Sequence, residues 1–387
     1  MGTLSNQKRP FEGLTVVDLT RVLSGPFCTM MLADHGERVI KVERPGTGDD
    51  SRSFGPFFPE DESRSVYFHF VNRGKESIAL NLKDDDDRAL LDAMLEKADI
   101  VVENFRPGTM AKLGYAPEDL RKRYPKLIVC SISGFGQSGP LSKLPAYDTV
   151  IQAMSGLMSV TGFPDGPPTR VGTSIADLGA GLFAFASISA ALAARERTGQ
   201  GTTVDVAMLD GIFSLLEHGL MDTLAEHKEA TRIGNRHPSI CPFDTFACSD
   251  RELVICCGND HLFTEMCEEM GCSDMAQDDR FSSNEKRLEN IDALKTGMEA
   301  ALAGDVAAKW QERLQARGVP CGLINTIMES RSMPQILSRD LVVDSGGHDV
   351  PGNAIKYGEW DDSITPIKPP LLDEQGQALR DEFMKNS

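Results

Sequence analysis

From residue 14 to residue 135 short apolar runs alternate with helical patterns, as in a parallel sheet with crossover helices. Leu14 to Leu19 reads as a strand, and Gly25-Pro26 opens a helix running toward His35. Arg38 to Val42 gives a second strand and Ile78 to Leu82 another apolar run. Asp84 to Lys97 is an amphipathic helix whose first turn is a run of aspartates, which suits the positive end of a helix dipole better than a metal site. Ile100 to Glu103 and Leu127 to Ser133 complete four or five strands of a Rossmann-like α/β core. Leu178 to Arg195, rich in Ala, Leu and Phe, is predicted as a buried helix, and a second long helix follows TGQGTTVDV.

Beyond about His227 the pattern changes. Strands at Thr245 to Ala247 and Leu253 to Cys256 precede helical stretches over Asn284 to Leu302 and Val306 to Arg317, a smaller α+β domain. Residues 1–200 with 340–387 are expected to form the large domain and 226–325 the small one, with 201–225 and 326–339 as linkers. The loop-rich tail returns to the large domain in this reading.

Charge narrows the function classes. Forty Lys+Arg against 58 Asp+Glu leave a net charge of −18 over 387 residues, which disfavours nucleic acid or an anionic membrane as partner. An anionic ligand needs a local cluster of basic groups. No stretch is expected to approach the roughly 20 apolar residues of a membrane span, and MGTLSNQKRPFEG lacks a signal-peptide core. The cytosol, or a mitochondrial or peroxisomal matrix, is the expected compartment. Nine cysteines without C-x-x-C or Cys/His zinc spacing read as reduced thiols, and no metal site is expected.

The first strand-to-helix turn, TRVLSGPF, lacks G-x-G-x-x-G, and neither a P-loop nor a G-x-S-x-G elbow occurs. Nicotinamide, nucleoside-triphosphate and serine-hydrolase chemistry are therefore disfavoured. Taken together, VLSGPF, VIKVERPGTGDDSR, NRGKESIALNLK, VENFRPG, SGFGQSGP and ADLGAG stand in the order and at the spacings that resemble the family III CoA-transferases and their acyl-CoA racemase relatives, over nearly the whole chain.

That resemblance implies an interlocked homodimer. It implies a CoA thioester as substrate, no permanently bound cofactor, and a small carboxylic acid as acceptor. Asp177 matches the family's nucleophile, although an Asp before an apolar helix is also the expected N-cap; amides at the helix start would favour its ionised form. Arg44, Leu80, Asn104, Phe105, Arg106, Lys112 and Lys143 match CoA contacts, with Arg106 expected to stack on adenine. Leu23, Phe54, Tyr67, Tyr147, His237, Gly258 and Asn259 match the substrate pocket. Gly258-Asn259-Asp260 stands where formyl-CoA:oxalate transferases resemble an all-glycine loop; a plain strand-to-helix turn capped by Asn259 or Asp260 is the other reading.

GNRHPSICPFDTF resembles the succinyl-CoA:dicarboxylate branch, where Arg236 and His237 could meet a second carboxylate, or His237 could serve only to hold the loop. Succinyl-CoA and a dicarboxylate are the expected substrates, with formyl- or acetyl-CoA and oxalate as an alternative. Racemases resemble this chain except for a histidine at the position of Tyr147, and a phenol titrating near about 10 is a poor base at neutral pH. A racemase and a non-catalytic CoA-binding protein remain the rival readings.

Overall fold

The computed structural model describes residues 9–360 and 368–384, apart from the side chains of Glu62 and Ser63. The opening MGTLSNQK and part of the expected tail, 361–367 and 385–387, lie outside the described residues. The chain divides into two units. The first takes the described residues up to Leu157, Arg170–Leu216 and those from Pro334 onward; the second takes Met158–Thr169 and Glu217–Met333.

The first unit is built on a parallel sheet of β1 (Thr15–Asp18), β2 (Arg38–Glu43), β3 (Lys75–Ala79), β4 (Ile100–Glu103), β5 (Ile128–Ser133) and β6 (Thr203–Ala207). In space the strands run β3-β2-β1-β4-β5-β6. Chain direction across the sheet therefore reverses between β1 and β4, and a crevice opens beyond their carboxyl ends. One face, with Val16, Ile100, Cys130 and Ile132, packs on α1 (Ser24–Asp34) and on the long helix Ile175–Thr198; the other, with Val17, Val101 and Val129, packs on α2 (Asp85–Lys97).

Asp84 caps α2, accepting from the N–H groups of Asp86 and Asp87 at 3.0 and 3.3 Å, so the acidic run is a helix start. The tail docks on the outer strand β3, where Ala79 N–H donates to Asp373 Oδ1 at 2.8 Å and Ser77 N–H to Gln375 Oε1 at 2.8 Å.

The structure corrects several expectations. Residues 201–225 are not a linker: Thr203–Ala207 is the edge strand β6, short and with Thr203 and Asp205 exposed, which is why its apolar pattern is faint. The long helix expected after it is two, Met208–Ser214 and Glu217–Glu226. The stretch from Asn284 to Leu302 also breaks, at Asn290. Residues 158–169 join the second unit, and 326–339 holds two short helices, the first closed by a Thr326/Glu329 capping box.

Ile175–Thr198 is long and apolar enough, by length and composition, to cross a membrane, contrary to the sequence reading. Half of its most apolar 18-residue stretch is buried in this unit's core. Gly181 lets it approach α1 closely, since a Cβ there would meet the Ser24 carbonyl oxygen at 2.8 Å.

The second unit carries an antiparallel sheet of Phe243–Ala247, Glu252–Cys256 and Cys321–Leu323, with Glu252–Cys256 in the centre, packed on helices Asp260–Glu269, Ile291–Leu302 and Ala307–Ala316.

Candidate active site

Beneath the crevice lies a buried polar layer between the sheet and α1. Asp18, at the end of β1, accepts from Thr20 N at 2.8 Å, from Thr29 Oγ1 at 2.7 Å and from Lys75 Nζ at 3.0 Å. Lys41 on β2 pairs with Asp49 at 2.9 Å and donates to the Thr20 carbonyl at 2.8 Å. The side chains of both pairs are at most 1% exposed.

This layer fixes the loop after β1. Asn104, just past β4, accepts from Arg21 N–H at 2.9 Å and donates to Arg21 O at 2.8 Å, while Asp49 accepts from Val22 N–H at 3.0 Å. Val22 is held at φ 68°, a left-handed conformation that a β-branched residue adopts at a cost of about 1–3 kcal/mol. The fixed loop delivers Ser24 to the first turn of α1, on the wall of the cleft that Asp177 also lines.

Asp177 lies in the first turn of Ile175–Thr198, but it is not the cap expected from sequence. Ser174 occupies that position without a side-chain hydrogen bond. The Ala176 N–H is met instead from outside the helix by Asp148 Oδ1 at 2.8 Å, and Asp148 Oδ2 accepts from Gln152 at 2.7 Å.

Nor does the helix start dominate the charge state of Asp177. Burial, and next the Asp148 charge, push its carboxyl up to about 7, with the Ser24 hydrogen bond pulling the other way. Asp148→Asn is therefore expected to move the titration of the Asp177 carboxyl to lower pH, which carboxyl NMR titration of both proteins would read. A titration unchanged in the variant would contradict the coupling.

A cleft of about 150 Å³ opens over Asp177 at the sheet's switch point. It is lined by Leu23, Asn104, Phe105, Arg106 and Tyr147, all expected site residues, and by Arg21, Ser24 and Asp50, which the sequence reading missed. Tyr67 and Phe54 stack edge to face at 5.8 Å, and burial, followed by the Asp177 charge, pushes the Tyr67 phenol up to about 12. A second hollow of about 390 Å³ shares Arg106 and Pro107 with the cleft. Glu103, Ser131 and Asp205, aligned in register across β4, β5 and β6, line it, and burial pushes Glu103 up to about 7.

Other expected contacts fare differently. Leu80 is 2% exposed in the core against α2, so its side chain offers nothing to a ligand. Lys112 and Lys143 are exposed, the latter next to the cleft residue Leu144. Arg44 is exposed and paired with Asp50.

In the second unit Asn259 caps the helix Asp260–Glu269, accepting from Leu262 N–H at 2.9 Å, so Gly258-Asn259-Asp260 is an ordinary capped turn. His237 stacks on Phe243 with centroids 5.1 Å apart, and its Nδ1 accepts from the N–H groups of Ser239 and Ile240, each at 3.1 Å. Burial and the neighbouring His218 lower its pKa. It is a loop-holding, neutral histidine, poorly suited to pair with a carboxylate. Arg236 beside it is partly exposed.

The signals for the missed residues were present. Asp148 stands beside Tyr147 in PAYD, Arg21 immediately precedes the VLSGPF motif and Ser24 lies within it.

The model of CoA-transferase family III matches residues 11–375. Acetyl-CoA:oxalate CoA-transferase of Acetobacter aceti is 52% identical over 98% of this chain and 97% of its own length. Succinyl-CoA:glutarate CoA-transferase of Mus musculus is 40% identical over 97% of this chain and 87% of its own. A crystal structure of a CAIB/BAIF family protein from Brucella suis superposes with a TM-score of 0.87 at 37% identity, covering 97% of this chain and all of that one. With these matches running nearly end to end, the chain belongs to CoA-transferase family III.

Proposed function

We propose that this protein moves CoA from an acyl-CoA donor to a dicarboxylate, with Asp177 as nucleophile. The observation that carries the reading is the placing of Asp177, Asn104, Phe105 and Arg106 around one cleft at the switch point, from segments far apart in the chain. An Asp177 oxygen attacks the donor's thioester carbonyl and the C–S bond breaks, leaving an acyl-aspartyl anhydride and CoA thiolate. The thiolate attacks the aspartyl carbonyl, releasing the donor acid and forming an aspartyl-CoA thioester. The acceptor carboxylate displaces CoA from that thioester to form its own anhydride, and the thiolate then takes the acceptor's acyl group and frees Asp177. Each step exchanges one acyl bond for another.

Relatives named for oxalate, glutarate and mesaconate support a dicarboxylate, and the 52% identity favours oxalate with acetyl-CoA over succinyl-CoA with glutarate. Half-exposed apolar side chains such as Leu182, Phe213 and Leu215 support a homodimer that covers them. Nine free thiols suit a reducing compartment, the cytosol or an organelle matrix.

The test is mass spectrometry of CoA esters after mixing the protein with acetyl-CoA or succinyl-CoA and each of oxalate, glutarate, mesaconate and acetate. A new ester of one diacid is expected. Exchange of the α-proton of a 2-methylacyl-CoA with deuterium, without any new ester, would instead identify a racemase.

A further inference from the structure

Glu43, the last residue of β2, does not line the cleft, and its side chain is only 1% exposed. Its Oε1 accepts from Ser77 Oγ at 2.6 Å and from Arg52 Nη2 at 2.7 Å. Its Oε2 accepts from Arg52 Nε at 2.8 Å and from the Asp49 N–H at 2.9 Å. Those donors occupy nearly every lone pair a carboxylate has to offer. Burial pushes this carboxyl up, but the Arg52 hydrogen bonds and then the Lys41 charge bring it below the ordinary range, so its bonds are charge-assisted. Gly48 lets the loop close around it: φ is 65°, and a Cβ there would meet Glu43 Oε2 at 2.8 Å.

On one side this hub reaches the cleft. Asp49, whose N–H Glu43 holds, accepts from the Val22 N–H at 3.0 Å and pairs with Lys41 at 2.9 Å. Val22, kept at φ 68°, leads directly into Leu23 and Ser24 on the cleft wall. Asp50, next along and also on that wall, accepts from both Arg21 and Arg44.

On the other side the hub reaches the tail. Arg52 Nη2 donates to the Pro370 carbonyl at 3.1 Å, and Ser77 Oγ accepts from the Asp373 N–H at 3.1 Å. Strain such as that at Val22 persists only where its surroundings over-determine it, and Glu43 sets the position of the residue that holds Val22.

We infer that Glu43 is a positioning residue for CoA transfer: anchored to the tail through Arg52 and Ser77, it fixes Asp49 so that Val22 stays left-handed and Leu23 and Ser24 stay on the cleft wall. Its effect on rate rests on the CoA-transfer reading; its hold on the loop does not. Misplacing a site wall by on the order of 1 Å can cost about 100-fold in rate.

Hydrogen–deuterium exchange read by mass spectrometry, beside kcat and KM for transfer, tests this on the intact protein. The variants are Glu43→Gln, Ser77→Ala, Val22→Gly and Glu43→Gln with Val22→Gly, assayed at a temperature where thermal unfolding shows each to be folded. In Glu43→Gln the peptide containing Val22 is expected to exchange about tenfold faster while β1 and β4 exchange as in the wild type. Its kcat should fall about tenfold or more, with KM changed less. Ser77→Ala, a small change that cuts the tail link, should move both readouts the same way by several-fold. Glycine takes the left-handed conformation freely, so the loss of kcat caused by Glu43→Gln should shrink several-fold in the Val22→Gly background.

Wild-type exchange at Val22 and wild-type kcat in Glu43→Gln would overturn the inference, and if that variant does not fold, the same result in Ser77→Ala would do so. Faster exchange spread evenly over the sheet would reduce Glu43 to a stabiliser of the fold. An equal loss of kcat in the Val22→Gly background would overturn the route through Val22. If the wild type transfers no CoA to any acid, the functional reading fails on its own, and exchange at Val22 still decides whether Glu43 holds the loop.

Discussion

Asp177→Asn is expected to lower kcat for CoA transfer by on the order of 10⁴-fold or more, with CoA affinity changed only a few-fold. The amide keeps the volume but cannot form an anhydride, so the covalent path is closed while the cleft survives. The same variant is expected to be more stable than the wild type at pH 8, by about 1–2 kcal/mol.

The sign follows from the carboxyl's position. It is pushed up to about 7 in the fold against an ordinary value of 3.8, so between those values the folded protein holds a proton that the unfolded chain has lost. Stability from this group is present below about pH 4 and is lost as pH rises toward 7. The neutral amide removes that loss, so the gain should be larger at pH 8 than at pH 5. Thermal unfolding at both values, beside a transfer assay, checks it. A variant that transfers at the wild-type rate would rule out Asp177 as the nucleophile, and a variant less stable at pH 8 would contradict its electrostatic setting.

Asp18→Ala is expected to destabilise the first unit by about 3–5 kcal/mol, the largest loss of any single change considered. Burial alone would push the Asp18 carboxyl up, but Lys75 and Lys41 hold it below the ordinary range. Removing it strands Lys75, which is fully buried and whose pKa burial has already lowered to about 8. It also releases Thr20 and Thr29, the contacts that tie the loop after β1 and the second turn of α1 to the sheet.

Denaturant unfolding would measure the loss. Removing both charges, as in Asp18→Leu with Lys75→Met, should cost less than Asp18→Ala alone, because an uncompensated buried charge is worse than none. A loss below about 1 kcal/mol in Asp18→Ala would mean that water reaches the layer. The effect extends to activity, since this layer places Ser24 against Asp177, and the surviving folded protein should show a reduced kcat.

Legibility differed between sheet and site. β1, β2, β4 and β5 could be read to within a residue or so because their buried runs, such as Val16-Val17 and Ile100-Val101-Val102, leave few other solutions. β3 was displaced by three residues. Its strand, Lys75–Ala79, carries a lysine and a serine that are buried only because Asp18 and Glu43 receive them, and no apolar pattern announces such positions. β6 was missed because an edge strand needs few buried side chains.

Asp177, Asn104, Phe105, Arg106, Leu23 and Tyr147, which the motifs single out, all line one cleft. Arg21, Asp50 and Asp148 were not found, since their roles depend on partners distant in sequence: Arg44 for Asp50, Ala176 for Asp148. The cap proposed for Asp177 failed for the same reason, as another helix supplies it.

The sequence by itself determined the class of fold, the family resemblance and the residue types available for chemistry, because buried periodicity and motif spacing are properties of the chain alone. Only the tertiary structure decided which carboxylates are held near neutrality, Asp177 and Glu103, which histidine is bound into its loop, and which arginines share a carboxylate. Charge state and pairing depend on burial and on distances between segments far apart along the chain, and those quantities exist only once the sheet has brought the segments together.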